Sequence, residues 1–461
     1  MRRLPILMLM LTLASAAHAE KWVTSWTGAA QGPYPVGNPT AQPDLRFALP
    51  SQETGAKDQT FRLIVKPELW GQKVRMRFSN AFGSRAVTFD GAFVGLQMSG
   101  AALMPGTNRP VLFGGKKSVT VPPGGQAWSD AVTLAAIPNP QAPEWMGRKL
   151  AVSVHVVGES GAMTWHAKAL QTSYLTAPGA GALGELEDEG AFPNSTTSWF
   201  FLDALDVMAP NDTKLVVCFG DSITDGTSST LNGDDRWPDV LARRLHAGAS
   251  PRSGAGISVV NEGIGGNQVV GPDEYSTTKP SPGGPSALSR LDRDVLELSG
   301  VTHVIWLEGI NDFSTNGNAS VDKVRDGMKA GVARLRAKLP GVRVIGGTLT
   351  SIVGTTSAAH KVPEVEQKRR TFNDWVRQNG GLFDGVVDFD AATADPATRA
   401  MRPEYVPGST VGGPGDGLHP NRAGYIAMGN AVDLRLLTGP ATPARRTRPT
   451  APAAPTAPPP A

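Results

Sequence analysis

Hydrophobic and polar positions alternate along two stretches in the first half of the chain. In KVRMRFSN, Val74, Met76 and Phe78 fall on one face and Lys73, Arg75 and Arg77 on the other. In KLAVSVHVV, Leu150, Val152, Val154 and Val156 stand opposite Ala151, Ser153 and His155. A period of two, punctuated by turn signals such as PPGG at 122–125, predicts half-buried antiparallel strands. From Trp22 to about Met208 the chain therefore reads as an all-β sandwich, jelly-roll-like in outline.

After Pro210 the texture changes to apolar runs that alternate with helical segments, the mark of a parallel sheet covered on both faces. The predicted strands are KLVVCF (214–219), ISVVN (257–261), VTHVIWLE (301–308), VRVIGGTL (342–349) and DGVVDF (384–389). Between and after them lie RWPDVLARRLH, PSALSRLDRDVLEL, VDKVRDGMKAGVARLRAKL, EVEQKRRTFNDWVRQN and NRAGYIAMGNAVDLRLL. In the third of these, Val321, Val324, Met328, Val332 and Leu335 recur at helical spacing, so one face is apolar. The second half is thus an α/β, doubly wound domain.

The 461 residues suggest two or three units at roughly 150 residues each. The first nineteen combine Arg2 and Arg3, an apolar stretch from Leu4 to Leu13 and small residues at Ala17 and Ala19. That is the build of a secretory signal peptide, and its apolar core is shorter than the roughly 20 residues a membrane helix needs. The last residues, ATPARRTRPTAPAAPTAPPPA, have little to bury and read as a disordered tail. The expected organisation is a signal peptide over 1–19, a β-sandwich over 20–208, an α/β domain over 209–439 and a Pro/Ala-rich tail over 440–461. The product is an exported monomer, periplasmic or extracellular, with no integral membrane association.

Charge narrows the partners. Of 44 basic residues, Arg2, Arg3, Arg445, Arg446 and Arg448 lie in the terminal segments, which leaves 39 against 41 acidic ones. Such a body has no basic footprint for nucleic acid. The single cysteine, Cys218, has no disulfide partner within the chain and reads as a small buried apolar residue. No histidine stands at metal-ligand spacing from another ligand, and GIGG lacks a full dinucleotide fingerprint, so neither metal nor cofactor is expected.

Candidate chemistry gathers where the predicted strands end, the edge at which open α/β sheets bind ligands. The first strand runs into Gly220-Asp221-Ser222-Ile223, the second into NEGIGGN and the third into EGIND, while the loop before the last helix reads GDGLHPN. Ser222 read alone is either a nucleophile or an ordinary turn residue. Hydrolysis through a serine requires a base, an acid that orients it and donors for the oxyanion. His419 can be the base, and Asp416, three residues earlier, can accept from its other ring nitrogen. The glycines of GIGG let a backbone N–H face a substrate, and Asn311 offers a side-chain amide. Asp221 reads as a turn-stabilising acid. Glu308 and Asp312 flank a short turn and fit a glycosidase pair poorly.

These blocks, in this order, resemble the GDSL or SGNH hydrolase family. GDSIT resembles its first block, with Ile223 where the family name has leucine; NEGIGG, GIND and DGLH resemble later ones. The match covers about Lys214 to Leu437 and implies a flavodoxin-like sheet of strand order 2-1-3-4-5. It also implies a catalytic set of Ser222, His419 and Asp416, with an oxyanion hole from the Ser222 and Gly266 amides and the Asn311 side chain. WVTSW, RMRFSNAFG and DRWPDVLARRL resemble a bacterial secreted subgroup with an N-terminal β domain. That resemblance implies a serine esterase acting on a small-molecule or polysaccharide ester, foremost acetyl or other short acyl groups on carbohydrate. The alternatives are a short-chain carboxylesterase or lipase, a sugar acyltransferase, and a non-catalytic carbohydrate-binding or wall-associated protein. The polar segment QVVGPDEYSTTKPSPGG, 268–284, is expected to border the cleft rather than the core.

Overall fold

The computed structural model of the protein describes residues 19–248, 256–406 and 414–439. The expected leader, up to its last residue, and the expected tail lie outside the described residues. Long strands build the first half: β1 (Glu20–Thr27), β2 (Lys57–Val65), β3 (Lys73–Ser79), β4 (Val87–Ser99), β5 (Leu150–Glu159) and β6 (Leu202–Pro210). One antiparallel sheet carries β6 between β1 and β3, and a second carries β5 between β2 and β4. Their inner faces meet through aromatics, with Phe78 of β3 and Phe89 of β4 at 5.6 Å between ring centroids.

Alternation correctly identifies β5 as a strand, but its polar face is not open to water. Ala151 and Ser153 are completely buried and His155 nearly so. Arg62 of β2 explains the cover: its Nε donates to Ser153 Oγ at 3.0 Å, its Nη1 donates to Ala101 O at 2.7 Å, and Phe192 stacks on the guanidinium at 3.9 Å. Leu183 N also donates to Thr60 Oγ1, so the segment through 183–192 closes over that face. His155 is held between Asp90 and Asp58 at 2.5 and 2.9 Å. Of the β-domain tryptophans, Trp26, Trp70, Trp165 and Trp199 are buried and serve the core.

The second half is a parallel sheet of β7 (Lys214–Gly220), β8 (Ile257–Gly263), β9 (Val301–Leu307), β10 (Arg343–Gly347) and β11 (Gly385–Val387). The spatial order is β8-β7-β9-β10-β11, which is 2-1-3-4-5. Leu215 to Phe219 are all buried, as a strand covered on both faces requires, and Cys218 among them is a free, fully buried thiol. The helices are α1 (Ser222–Asp225), α2 (Trp237–Gly248), α3 (Ala287–Leu291), α4 (Ile310–Phe313), α5 (Val321–Lys338), α6 (Pro363–Gln378), α7 (Phe389–Thr393) and α8 (Arg422–Ala431). DGVVDF is a shorter strand than its apolar run suggests, because Asp388 caps α7 by accepting from Ala391 N.

The halves meet along β1 and β8. Thr24 N donates to Ser299 O at 2.9 Å, Ser258 Oγ to Thr24 O at 2.8 Å and Thr27 Oγ1 to Asn261 O at 3.0 Å. Buried apolar side chains of both halves form one continuous cluster. No helix among the described residues is long and apolar enough to cross a membrane.

Candidate active site

β7 ends where a side chain no longer fits: a Cβ on Gly220 would lie 2.3 Å from Leu307 O. Asp221 then caps α1, its side chain accepting from Ile223 N at 2.9 Å. Burial, with the nearby charges of Asp312 and Asp225, pushes its carboxyl up to about 7. Ser222 opens the single turn of α1, and Gly226, at φ 99°, closes it. A residue in the first turn of a helix has no intrahelical acceptor for its N–H, so the Ser222 amide is free to face a ligand.

The loop before α8 reaches this serine. Ser222 Oγ and His419 Nε2 lie 2.8 Å apart, and His419 Nδ1 and Asp416 Oδ2 2.6 Å apart. An ionised carboxylate only accepts, so Nδ1 carries the ring proton and Nε2 presents its lone pair to the serine hydroxyl. Asp416 Oδ1 accepts from the backbone N–H of Leu418 and of His419, at 2.9 and 2.8 Å. Burial opposes the charge on Asp416, but the hydrogen bonds from the His419 ring and from the two amides outweigh it. The carboxyl is held well below the usual carboxylate range. Gly417, at φ 68°, permits the tight turn between acid and base.

The donors expected for an oxyanion lie on the neighbouring loops. Gly266 takes φ 87°, favourable only to glycine, in the turn after β8. Asn311 stands in α4, and one hydrogen of its Nδ2 goes to Asn267 O at 3.0 Å, next to Gly266. An amide nitrogen has two hydrogens, so the second remains for a ligand. Asp312 does not form a carboxylate pair for chemistry. Its oxygens accept from Val269 N and Val270 N at 2.8 and 3.0 Å and tie the loop to α4. That tie buries Val269 completely, so the start of the 268–284 segment belongs to the core; its middle, around 273–279, is mostly exposed, and it is buried again at Gly283 and Gly284. Glu308 is buried behind the site and accepts from Trp306 Nε1 at 2.8 Å.

Three supports of this constellation escape pattern reading. Arg290, fully buried, donates to Gly220 O at 2.9 Å, to Glu262 O at 2.9 Å and to Asn267 Oδ1 at 2.8 Å, joining the ends of β7 and β8 to the glycine turn. Asp225 accepts from Gly265 N at 2.9 Å, and His166 of the β domain stands 3.2 Å from its other oxygen, near enough for an ion pair though bent away from hydrogen-bond geometry. Asn38, also of the β domain, donates to Gly265 O at 2.7 Å. Arg290 lies in SALSRLDRDVL and could have been suspected as a charge within an apolar helical pattern; His166 and Asn38 carry no local signal. Among the described residues no group of His, Cys, Asp or Glu is placed to hold a metal ion.

The family model for the GDSL-like lipase/acylhydrolase family matches residues 218–427. The second half is a GDSL-like acylhydrolase domain. The protein is accordingly a carboxylic ester hydrolase. The chain is also similar to the solved structure of a carbohydrate acetylesterase family member from Sinorhizobium meliloti (18% identity, 49% of this chain and 100% of that one, TM-score 0.38). Others are an aryl esterase from M. smegmatis (19%, 48% and 96%, 0.36) and a GDSL-like lipase from Bacteroides thetaiotaomicron (17%, 49% and 88%, 0.35). Comparison with curated proteins gives no match.

Proposed function

We propose that the GDSL domain cleaves esters through an acyl-enzyme on Ser222, and that its natural substrates are acetyl or other short acyl esters of carbohydrate. The observation that carries this reading is the unbroken contact from Ser222 Oγ to His419 Nε2 to Asp416, at 2.8 and 2.6 Å. His419 takes the hydroxyl proton as Ser222 attacks the ester carbonyl, and returns it to the leaving alcohol. Asp416 keeps the ring oriented and stabilises its charge. The amides of Ser222 and Gly266 and the Asn311 side chain receive the negative charge that develops on the carbonyl oxygen. Water then repeats the sequence and frees the acid.

Support for a small acyl group and a hydroxylated alcohol comes from the surroundings. Asn38 and Asn311 set polar side chains against the 265–267 turn, and Asn38 and Gly283 close the space beside Gly266. The leader-like first nineteen residues support action outside the cytoplasm, in the periplasm or beyond the cell. The mature protein should hydrolyse p-nitrophenyl acetate, and Ser222→Ala should lower kcat by about 10⁴-fold or more. His419→Ala should be comparably damaging and Asp416→Ala less so. Equal rates for Ser222→Ala and the parent would falsify the nucleophile assignment. A panel of acetylated polysaccharides, set beside aryl and glyceride esters of graded chain length, tests the substrate class.

A further inference from the structure

We propose that the β domain supplies part of the oxyanion machinery: Asn38 holds the Gly265–Gly266 peptide in the orientation that aims the Gly266 N–H at the acyl oxygen. Asn38 is then a positioning residue for the ester hydrolysis proposed above, and the inference rests on that reading. Its basis is the planarity of the peptide unit. The Gly265 carbonyl and the Gly266 N–H belong to one trans amide and point in opposite directions. Whatever grips the oxygen therefore sets the direction of the N–H.

The peptide needs such a grip. With glycine on both sides, no Cβ resists its rotation, and glycine populates positive and negative φ about equally. Asn38 Nδ2 donates to Gly265 O at 2.7 Å and lies 3.3 Å from Pro282 O, in the segment that passes beside Gly266. A Cβ added to Gly266 would come within 2.9 Å of that same nitrogen, so the amide stands directly over the turn. On the other side of Gly265, its N–H is held by Asp225, which His166 faces from the β domain. The glycine is thus clamped at both polar atoms, and elements of the other half of the molecule reach both clamps. A donor at the carbonyl oxygen also polarises the amide, strengthening what its N–H can offer an oxyanion.

The segment bearing Asn38 is itself anchored. Trp165 Nε1 donates to Val36 O at 3.1 Å, and Val36 N donates to Pro33 O at 2.9 Å. Gln31 donates to Pro282 O and accepts from Tyr275 OH, which binds the cleft-side segment 275–283 to the same β-domain loop.

The test uses the full mature chain and p-nitrophenyl acetate. Removal of one oxyanion donor costs about 10²–10³-fold in kcat, and misaiming one should cost about 10- to 100-fold. Asn38→Ala should therefore lower kcat by that factor while KM stays within about threefold. The inhibition constant of an aryl boronic acid, whose tetrahedral adduct on Ser222 places an oxygen in the hole, should rise in proportion. Asn38→Asp keeps the shape but removes the donor; its deficit relative to the parent should shrink as pH falls and the carboxyl gains a proton it can donate. If Asn38→Ala does not fold, judged by its thermal unfolding, Asn38→Asp carries the test. An Asn38 variant that folds and keeps kcat within about twofold overturns the proposal. So does a fall in kcat that tracks lost thermal stability while boronate affinity is unchanged. Ser222→Ala runs alongside: if it retains parent activity, the nucleophile assignment fails, whereas an inactive Ser222→Ala with a fully active Asn38→Ala removes only the positioning role.

Discussion

Glu308 shows what burial does to one carboxyl behind the site. It is fully buried, one oxygen accepts from Trp306 Nε1, and the other has no partner among the described residues. Burial pushes its pKa from 4.5 up to about 8, Arg290 opposing the rise and Asp221 and Asp312 adding to it. The raised folded value means that the native state keeps a proton which the unfolded chain releases. The resulting stability is complete below about pH 4.5 and is lost as pH rises through about 8, with a slope of at most about 1.4 kcal/mol per pH unit. Glu308→Gln carries no such proton. Its unfolding free energy should gain on that of the parent as pH is raised from 5 to 8, measured by urea titration at each pH; a constant difference would contradict the assignment. At this scale Ser222, Asp416 and His419 were legible, because each sits in a short stretch whose neighbours announce a strand end or a tight turn. Arg290 was not, since its worth lies in carbonyl groups tens of residues away.

Elements depend on where side chains are missing as well as on where they are apolar. The spacing in α5 correctly places Val324, Met328, Val332 and Leu335 on the buried face, with Val321 only half-buried at the end. Gly327 and Gly331 share that face and set how closely the helix approaches. A Cβ on Gly331 would lie 2.4 Å from Trp306 Cη2, and one on Gly327 2.4 Å from Val270 Cγ1. In an open helix Gly→Ala would stabilise by about 1 kcal/mol. Here overpacking against a rigid indole should win, so Gly331→Ala should destabilise by about 1–3 kcal/mol in denaturant unfolding. A more stable variant would mean that α5 can move away from β9 at little cost. Periodicity located this helix but could not show which glycines were structural, because glycine contributes nothing to a hydrophobic pattern. The same blindness hid the covered outer face of β5, which is buried by Arg62 and by a segment with no strand periodicity.

For the whole molecule, the contact between the halves decides most. Asp206 of β6 is fully buried; its Oδ1 accepts from Thr24 Oγ1 at 2.8 Å. Its Oδ2 accepts from Arg75 Nε and Nη2 at 2.9 and 2.8 Å and from Ser299 Oγ at 2.7 Å. Ser299 belongs to the hydrolase half, so one carboxylate joins two sheet strands and the second domain. Removing one member of a buried pair costs about 3–5 kcal/mol, and the quarter of Arg75 left exposed places Asp206→Ala near the lower figure. The two halves should nevertheless unfold in one calorimetric transition in the parent, because their cores are continuous. Two resolved transitions in the parent would show that the interface is weaker than its hydrogen bonds suggest.

The chain by itself determined what neighbouring residues can dictate: two patterns of periodicity, a change of fold class near Pro210, and the local turns that present Ser222, Gly266, Asn311 and the Asp416–His419 pair. Glycine conformations, an aspartate cap and an acid three residues before a histidine act over a few bonds, so they are written in contiguous sequence. Only the tertiary structure decided that Asn38 meets Gly265, that His166 faces Asp225 and that Arg290 reaches Gly220. Those partnerships join residues far apart in the chain across the packing of two domains, and a hydrogen bond leaves no periodic trace at either of its ends.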